Sequence, residues 1–372
     1  MEVAKGLAGV IVDETRICKI DKDTNRLFYF GYEIQELVRR LSYEDVFFLL
    51  THGDLATPAQ LEDFKAAMAL GRALPAAIIS LLEAIPANAD PMDVLRTGCS
   101  LLATLKPDSP KAVLATTAAP LGNALISMLL YWWHFHKSGK RIDTESGESS
   151  MAGHFLHLLH GRSADELHRR AIEVSLIIYA EHDFNASTYA ARIATSTRSD
   201  LYSSLISAIG TLRGPLHGGA NARVMDMLDR FKSPDEAEAG LREMLANKAV
   251  IFGFGQRAYS TADPRNAINK RWAERLADAA GDRMLFDVAE RIEHVMDRDK
   301  KMFANLDYYT AVIYRLCGLP TALFPPMFLI ARVPGLIAHI SEQRANNRLI
   351  HPSSKYIGPD PRAVPDAFPE LS

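Results

Sequence analysis

Ile34-Gln-Glu-Leu37-Val38-Arg-Arg-Leu41-Ser42-Tyr-Glu-Asp45-Val46-Phe47-Phe-Leu-Leu50 decides the fold class. Ile34, Leu37, Val38 and Leu41 recur at i, i+3, i+4 and i+7, one apolar stripe along an α-helix. Ser42 with Asp45 three residues on reads as a capping box that starts a second helix, whose Val46, Phe47 and Leu50 face inward. Outward from there, Thr57-Pro58 supplies an N-cap and a proline at the first helical position, ahead of Leu61, Phe64 and Met68. The same period returns at 75–85, 90–105, 120–137, 165–180, 187–209, 220–231, 234–247, 265–280, 284–299 and 326–346. Strand signals are confined to Gly9–Val12 and Arg26–Phe30, expected to pair as a small hairpin, and to a short extended piece at Ala249–Phe252. The expected fold class is all-α.

The chain has 372 residues, 48% hydrophobic and 23% charged, a globular balance that excludes wholesale disorder. Lys+Arg number 42 against 45 Asp+Glu, so no nucleic-acid partner is expected, although a local basic pocket remains open. Cys18, Cys99 and Cys317 match no disulfide or metal spacing and suit a reducing compartment. The apolar run Ala124–Trp133 is about half the ~20 residues of a membrane span and reads as a buried helix. Met1-Glu-Val-Ala-Lys5 lacks a basic segment followed by an apolar one. A cytoplasmic protein without membrane attachment is expected. The polar stretch 138–150 reads as an exposed loop, and the proline-rich tail from Gly358 as an extended surface segment.

Four segments stand apart from the helical filler. Glu181-His182-Asp183-Phe184-Asn185-Ala186-Ser187 follows the apolar run Leu176–Ala180. Arg213-Gly-Pro-Leu-His217-Gly-Gly-Ala-Asn221 sets a histidine among glycines and a proline, so backbone can approach a ligand and a tight turn holds the imidazole. Gly253-Phe-Gly255-Gln256-Arg257-Ala258-Tyr259 leads to Asp263-Pro-Arg265. Asn305-Leu-Asp307-Tyr-Tyr309 places a carboxylate beside aromatics, where desolvation raises its pKa toward that of a useful base. Singly, each has an ordinary structural account: a loop histidine, a helix cap at Asp307, a first-turn residue at Arg265. Together, His, Asp and several Arg suit a carboxylate substrate and enolate chemistry. Gly253-x-Gly255-x-x-Ala258 also fits a loose dinucleotide fingerprint, but Pro264 interrupts the helix due there and no repeating βαβ pattern exists. His154, His157 and His160, with His134 and His136 upstream, lack a carboxylate or cysteine at ligand spacing. They read as half-buried histidines of a packed helix, and no metal is expected.

These blocks resemble the citrate synthase family, and within it the bacterial 2-methylcitrate synthase branch. The likeness runs from Gly6-Leu-Ala-Gly-Val10 through Pro91–Gly98, Gly153–Gly161, Glu181–Thr188, Arg213–Asn221 and Asp263-Pro-Arg265 to Glu342-Gln-Arg344 and Tyr356-Ile-Gly-Pro359. It implies a homodimer with a shared active site. Each subunit would have a large domain, 1–218 and 319–372, and a smaller mobile domain, 219–318, that closes on substrate. It implies condensation of an acyl-CoA with a 2-oxo dicarboxylic acid, oxaloacetate in the family, followed by hydrolysis of the thioester. The coenzyme A thioester is then a cosubstrate, and no cofactor is permanently bound. Asp307 matches the family's base and His217 the group that hydrogen-bonds the thioester oxygen. His182, Arg265 and Arg332 match substrate-holding positions, and Asn221 belongs to the same substrate-facing block. Val250, Ile251, Phe252, Gly253 and Phe254 match the segment that contacts CoA. Tyr179 and Leu306 sit where the 2-methylcitrate branch differs from strict citrate synthases, and are expected to shape the acyl pocket. One methylene is worth only ~1–3 kcal/mol there, so the acyl preference is a small difference.

Two positions depart from the family pattern. Gln256 stands where the second catalytic histidine belongs; its amide can donate a hydrogen bond to a carbonyl but cannot carry a proton near neutral pH. His351 stands where an arginine reaches a substrate carboxylate in the neighbouring subunit, and lacks the bidentate fork. Both fall on the 2-oxo acid side, while His217 and Asp307 are intact. A second reading therefore stays open: a relative with an altered 2-oxo acid acceptor, or a CoA-thioester binder of little or no activity.

Overall fold

A computed structural model describes residues 3–7, 9–108, 114–256 and 258–365; Arg257 and the end of the tail lie outside them. The periodic stretches form helices, among them Tyr43–His52, Pro91–Leu105, Leu121–Ser138, Glu166–Tyr179, Pro264–Ala280 and Phe324–Ala345. Both capping boxes form: Ser42 and Asp45 exchange side-chain and backbone hydrogen bonds, as do Thr57 and Gln60. Each satisfies backbone donors that a bare helix start leaves open.

The stretch 187–209 is two helices, not one. Ala186–Ser196 and Leu201–Leu212 pack against each other after a reversal in which Arg198 takes a left-handed φ of 65° and Asp200 caps the second helix at Ser203 N. The amino-terminal hairpin also differs from expectation. Arg26–Tyr29 pairs with Cys18–Asp21 rather than with Gly9–Val12, and Tyr32–Glu33 adds a third short antiparallel strand. The Asp21 carboxylate accepts from the backbone of Asp23 and Thr24, which sets this turn. Ala249–Phe252 forms no strand; only Phe254 makes an isolated bridge, to Ala304. Met151–His160 and Leu306–Leu316 are helices that the periodicity did not single out.

Leu121–Ser138 and Phe324–Ala345 form the centre. The stretches Leu114–Ser138 and Thr321–Ala345 are long and apolar enough to cross a membrane, yet 83% and 94% of their most apolar windows lie buried inside the protein. Phe324–Ala345 packs on Tyr43–His52, Glu166–Tyr179 and Ala186–Ser196. Pro334 inside it has no N–H, so the carbonyl of Ile330 loses its helical donor. The buried Tyr43 hydroxyl fills that gap, 3.2 Å from Ile330 O and 3.0 Å from Ala331 O. The next residue must be glycine: a Cβ at 335 would lie 2.3 Å from both Ala180 O and Glu181 Oε2. The central helix thus presses against the loop that carries His182.

That loop is fixed from a second side. The Tyr29 hydroxyl, from the hairpin, lies 2.9 Å from Glu181 O and 3.2 Å from Ile177 O, and serves the open carbonyls where Glu166–Tyr179 ends. The remaining helices that reach the cavity are Ala220–Leu228, Pro264–Ala280 and Leu306–Leu316. The last two pack on each other and on Glu166–Tyr179. The histidine-rich helix has ordinary partners. His154 is fully buried beside Ser146, 2.9 Å from Nδ1, rather than half-buried, and His160 meets the carbonyl of Cys317.

Candidate active site

A cavity of about 760 Å³ gathers residues from all four singled-out segments: Tyr179, His182, His217, Gln256, Arg265, Leu306, Asp307 and Arg332 all line it. Helix ends, the middle of Phe324–Ala345 and the loop bearing Gln256 bring them together, so residues 153 positions apart in sequence meet here.

Asp307 stands in the first turn of Leu306–Leu316, whose cap is Asn305 and not Asp307 itself: Asn305 Oδ1 accepts from Asp307 N at 3.0 Å. The Asp307 side chain is thereby released to face the cavity. Its Oδ1 accepts a 2.6 Å hydrogen bond from the Tyr179 hydroxyl. Burial raises the Asp307 pKa above the ordinary carboxylate value, against the Tyr179 hydroxyl and the positive Arg265, which lower it. A carboxylate so placed is more basic than one in water.

His217 is held on the tight turn after Leu201–Leu212, where its own N–H donates to Gly214 O. Its Nε2 lies 2.9 Å from Ser187 Oγ and 3.4 Å from the Ser187 backbone N. A backbone N–H only donates, so Nε2 accepts and the ring proton resides on Nδ1. Nδ1–H then has no protein partner among the described residues and remains a donor for a ligand. Burial, with Arg332 nearby, pushes the His217 pKa down to about 4, so the ring is neutral at pH 7. Asn185 caps Ala186–Ser196 by accepting from Thr188 N, and its Oδ1 lies 2.8 Å from Ser187 Oγ, whose single proton goes to His217 Nε2. The rings of His217 and Tyr179 both pack on Phe328, at 5.8 and 4.6 Å between centroids. The histidine and the Tyr179–Asp307 pair therefore flank one aromatic surface.

The other side of the cavity is charged. Arg265 and Asp263 form a buried bidentate pair, Nε to Oδ1 at 2.9 Å and Nη2 to Oδ2 at 2.7 Å. Asp263 also caps Pro264–Ala280 and accepts from Leu306 N at 3.1 Å, so one carboxylate ties the arginine to the turn bearing Asp307. Burial opposes the Arg265 charge, but Asp263 and Tyr259 outweigh it and raise the pKa. Arg332 donates from Nε to Tyr179 O at 2.5 Å, while its buried Nη1 has no partner. Such an orphaned guanidinium N–H is a strong site for a carboxylate. His182 Nε2 lies 3.0 Å from the Tyr259 hydroxyl. Burial first, then Arg265 and Arg332, drive its pKa well below the usual value, so it is neutral too.

Not every expected residue faces the cavity. Asn221 is buried with its amide on backbone, Oδ1 accepting from Ala222 N and Nδ2 reaching Phe324 O, so it braces the turn after His217 instead of lining the cavity. His351 lies on the exposed tail, outside this chain's own cavity. Val250–Phe254 runs behind the cavity wall. Val250 is exposed, the Phe254 ring packs at a tilt on Tyr308, and Gly253 O accepts from Asn305 N at 2.8 Å. Gly253 has a φ of 85°, and a Cβ there would lie 2.7 Å from Tyr308 and 2.8 Å from Val224.

Three contributors had no role in the sequence reading: Asp263, Ser187 and Tyr259. An aspartate before Pro264 signals a helix cap, but its service to Arg265 and to Leu306 N becomes visible only when the two helix starts meet. Ser187 sat in a quoted block, yet its link to His217 spans thirty positions.

Three comparisons bear on this arrangement. The family model described as "Citrate synthase, C-terminal domain" matches residues 6–353. The chain is 44% identical over 359 residues to the 2-methylcitrate synthase of Shewanella oneidensis, covering 96% of each chain. It is 39% identical to the 2-methylcitrate synthase of Mycobacterium tuberculosis, covering 99% of this chain and 93% of that one. A solved ternary complex of Thermoplasma acidophilum citrate synthase with carboxymethyl coenzyme A and oxaloacetate superposes with a TM-score of 0.92 at 29% identity, covering 98% and 99%. A cavity framed by one desolvated carboxylate, two neutral imidazoles and two buried arginines, in a chain alike over nearly its full length, leads to one assignment: this protein is an enzyme of the citrate synthase family.

Proposed function

We propose that this enzyme condenses an acyl-CoA with oxaloacetate and water to give 2-methylcitrate or citrate plus free CoA, with propionyl-CoA as the favoured donor. The observation that carries this reading is the convergence of Asp307 and His217 on one cavity with the unpartnered Nη1 of Arg332. Asp307 removes a proton from the carbon alpha to the thioester, and His217 Nδ1–H donates to the thioester oxygen as charge develops there. The resulting enol or enolate carbon attacks the ketone carbon of oxaloacetate, whose carboxylates rest on Arg265 and Arg332. Gln256 donates a hydrogen bond to the ketone oxygen but gives it no proton. Water protonates the new alkoxide, the hydroxide so formed displaces the thiolate from the thioester, and the thiolate takes up the proton that Asp307 removed. The wall formed by Tyr179, Leu306 and Phe328 is apolar enough for one further methyl group.

The relatives named 2-methylcitrate synthase support the propionyl preference, and the intact acyl side weighs against a mere binder. The functional unit in this reading is a homodimer in which His351 reaches the partner's cavity. Exposed Tyr356 and Ile357 on the same tail give that segment an apolar surface to bury. Residues 219–318 close over the substrates as a unit, with Val250–Phe254 contacting CoA. Three free, buried cysteines suit a cytoplasmic setting. The test is CoA release with acetyl-CoA and propionyl-CoA against a panel of 2-oxo acids. Turnover with oxaloacetate, faster with propionyl-CoA, is expected; release only with other 2-oxo acids would overturn the acceptor, and none at all the reaction.

A further inference from the structure

Behind the 2-oxo acid side lies a buried chain of polar side chains whose hydrogen bonds run to one another and not to the residues assigned above to the reaction. Glu181, fully buried, precedes His182 in the loop. Its Oε1 lies 3.0 Å from His339 Nε2. His339 Nδ1 lies 3.0 Å from Arg192 Nη1. Arg192, also buried, continues to Glu342 Oε2 at 2.9 Å and to Asp13 Oδ2 at 3.2 Å, with its guanidinium 4.4 Å from the Phe184 ring. Guanidinium groups only donate, so His339 Nδ1 accepts, its proton lies on Nε2, and that proton goes to Glu181. His339 is therefore a neutral one-way connector between a cation and an anion.

The far end of the chain is the telling part. Glu181 Oε2 is buried with no hydrogen-bond partner, as is Arg332 Nη1. Glu181 is also the carboxylate that most offsets the burial of Arg332. Leaving a carboxylate oxygen buried and open is costly, and the hydrogen bond from His339 to the other oxygen offsets part of that cost and holds the group in place. Gly335 prevents the loop from being pushed away, since any Cβ there would collide with this same oxygen.

We infer that Glu181, His339 and Arg192 form a positioning chain that fixes the His182 loop and supplies a counter-charge to Arg332 without occupying its Nη1, which is thus kept for a carboxylate of the 2-oxo acid. The inference rests on the condensation reading for the identity of that acid. It makes the three residues positioning groups for the acceptor alone, with no part in enolisation. Arg265 needs no such device, because Asp263 pairs with it directly through the other end of its fork.

The experiment separates the two ends of His339. In His339→Gln the amide nitrogen replaces Nε2 and keeps the bond to Glu181; in His339→Asn the shorter amide reaches only the Arg192 side. The Asn variant is expected to raise the KM for oxaloacetate about tenfold, the size of a lost hydrogen bond to a charged group. The KM for acyl-CoA stays within about twofold of the unaltered enzyme in the same variant. The Gln variant restores the oxaloacetate value. Arg192→Lys, which keeps volume and charge, serves if the Asn variant does not fold, and is expected to raise the oxaloacetate KM about threefold, again alone. Equal behaviour of the Gln and Asn variants, or a parallel rise in both KM values, would overturn the inference. The unaltered enzyme is assayed first. If it releases no CoA, the condensation reading fails by itself, and the chain is judged by calorimetric Kd for oxaloacetate, where the same order of variants is required.

Discussion

The two sides of the cavity are built on different electrostatics. Asp307 and His217 are each steadied by a neutral hydroxyl, from Tyr179 and Ser187. Arg265 and Arg332 are steadied by carboxylates, one in direct contact and one through the loop. A base must gain a proton and a donor must answer charge that appears only during reaction, so neither can be held by a permanent opposite charge that would fix its ionisation. Groups that grip a charge already present in the substrate have no such restriction. The division shows that this fold places switching groups among hydroxyls and gripping groups among ions.

The largest effect that would sharpen the contrast is loss of the base. Asp307→Asn is expected to lower kcat by ~10²–10⁴-fold with little change in the oxaloacetate KM. A variant that instead lost acceptor binding would break the division. Next comes the direct ion pair. Asp263→Asn leaves the buried Arg265 uncompensated, and a denaturant melt should show a loss of about 3–5 kcal/mol. A loss below 1 kcal/mol would mean that Arg265 is held by something other than its partner.

Restoring a titratable group at position 256 tests the acceptor side. Gln256→His is expected to raise turnover with oxaloacetate about tenfold, because an imidazole can deliver a proton to the new hydroxyl where an amide cannot. No gain would show that the proton arrives by another route at no cost in rate.

The smallest effect is on pH. The Tyr179 hydroxyl favours ionised Asp307, so Tyr179→Phe should move the acid limb of kcat/KM upward. A downward shift would refute the assignment of the base. The same group has a stability signature. The native Asp307 pKa lies above its ordinary value, so the native protein keeps a proton that the unfolded chain has lost. Stability therefore falls as pH rises through that interval, and Asp307→Asn should flatten the slope.

How much of this could be read from the sequence differs by kind of signal. Helices with a clean apolar stripe and a cap, such as Tyr43–His52 and Pro58–Ala69, were legible because pattern and cap agree. The break at Arg198 was not, since Ser-Thr-Arg-Ser carries neither glycine nor proline and the left-handed residue is an arginine. In the hairpin the apolar Gly9–Val12 carries the stronger strand signal, whereas the true partner Cys18–Asp21 is half polar and is set by the Asp21–Asn25 turn. In the site, His217, Asp307 and both arginines follow from the family resemblance, and all line one cavity. Asn221 lay in such a block as well, yet its amide is consumed by backbone. The partners, Asp263, Ser187, Glu181 and His339, were beyond reach because each acts on a residue brought near only by folding.

The hairpin and the helix beside it deserve a designer's caution. Tyr29 and Tyr43 lend their hydroxyls to carbonyls at the end of Glu166–Tyr179 and at the proline break in Phe324–Ala345. A chimera that swapped the first fifty residues for those of a distant relative would need phenols at the same two places. Without them, open backbone oxygens would be stranded within one turn of the catalytic loop. The first fifty residues are thus structurally continuous with the walls of the reaction chamber.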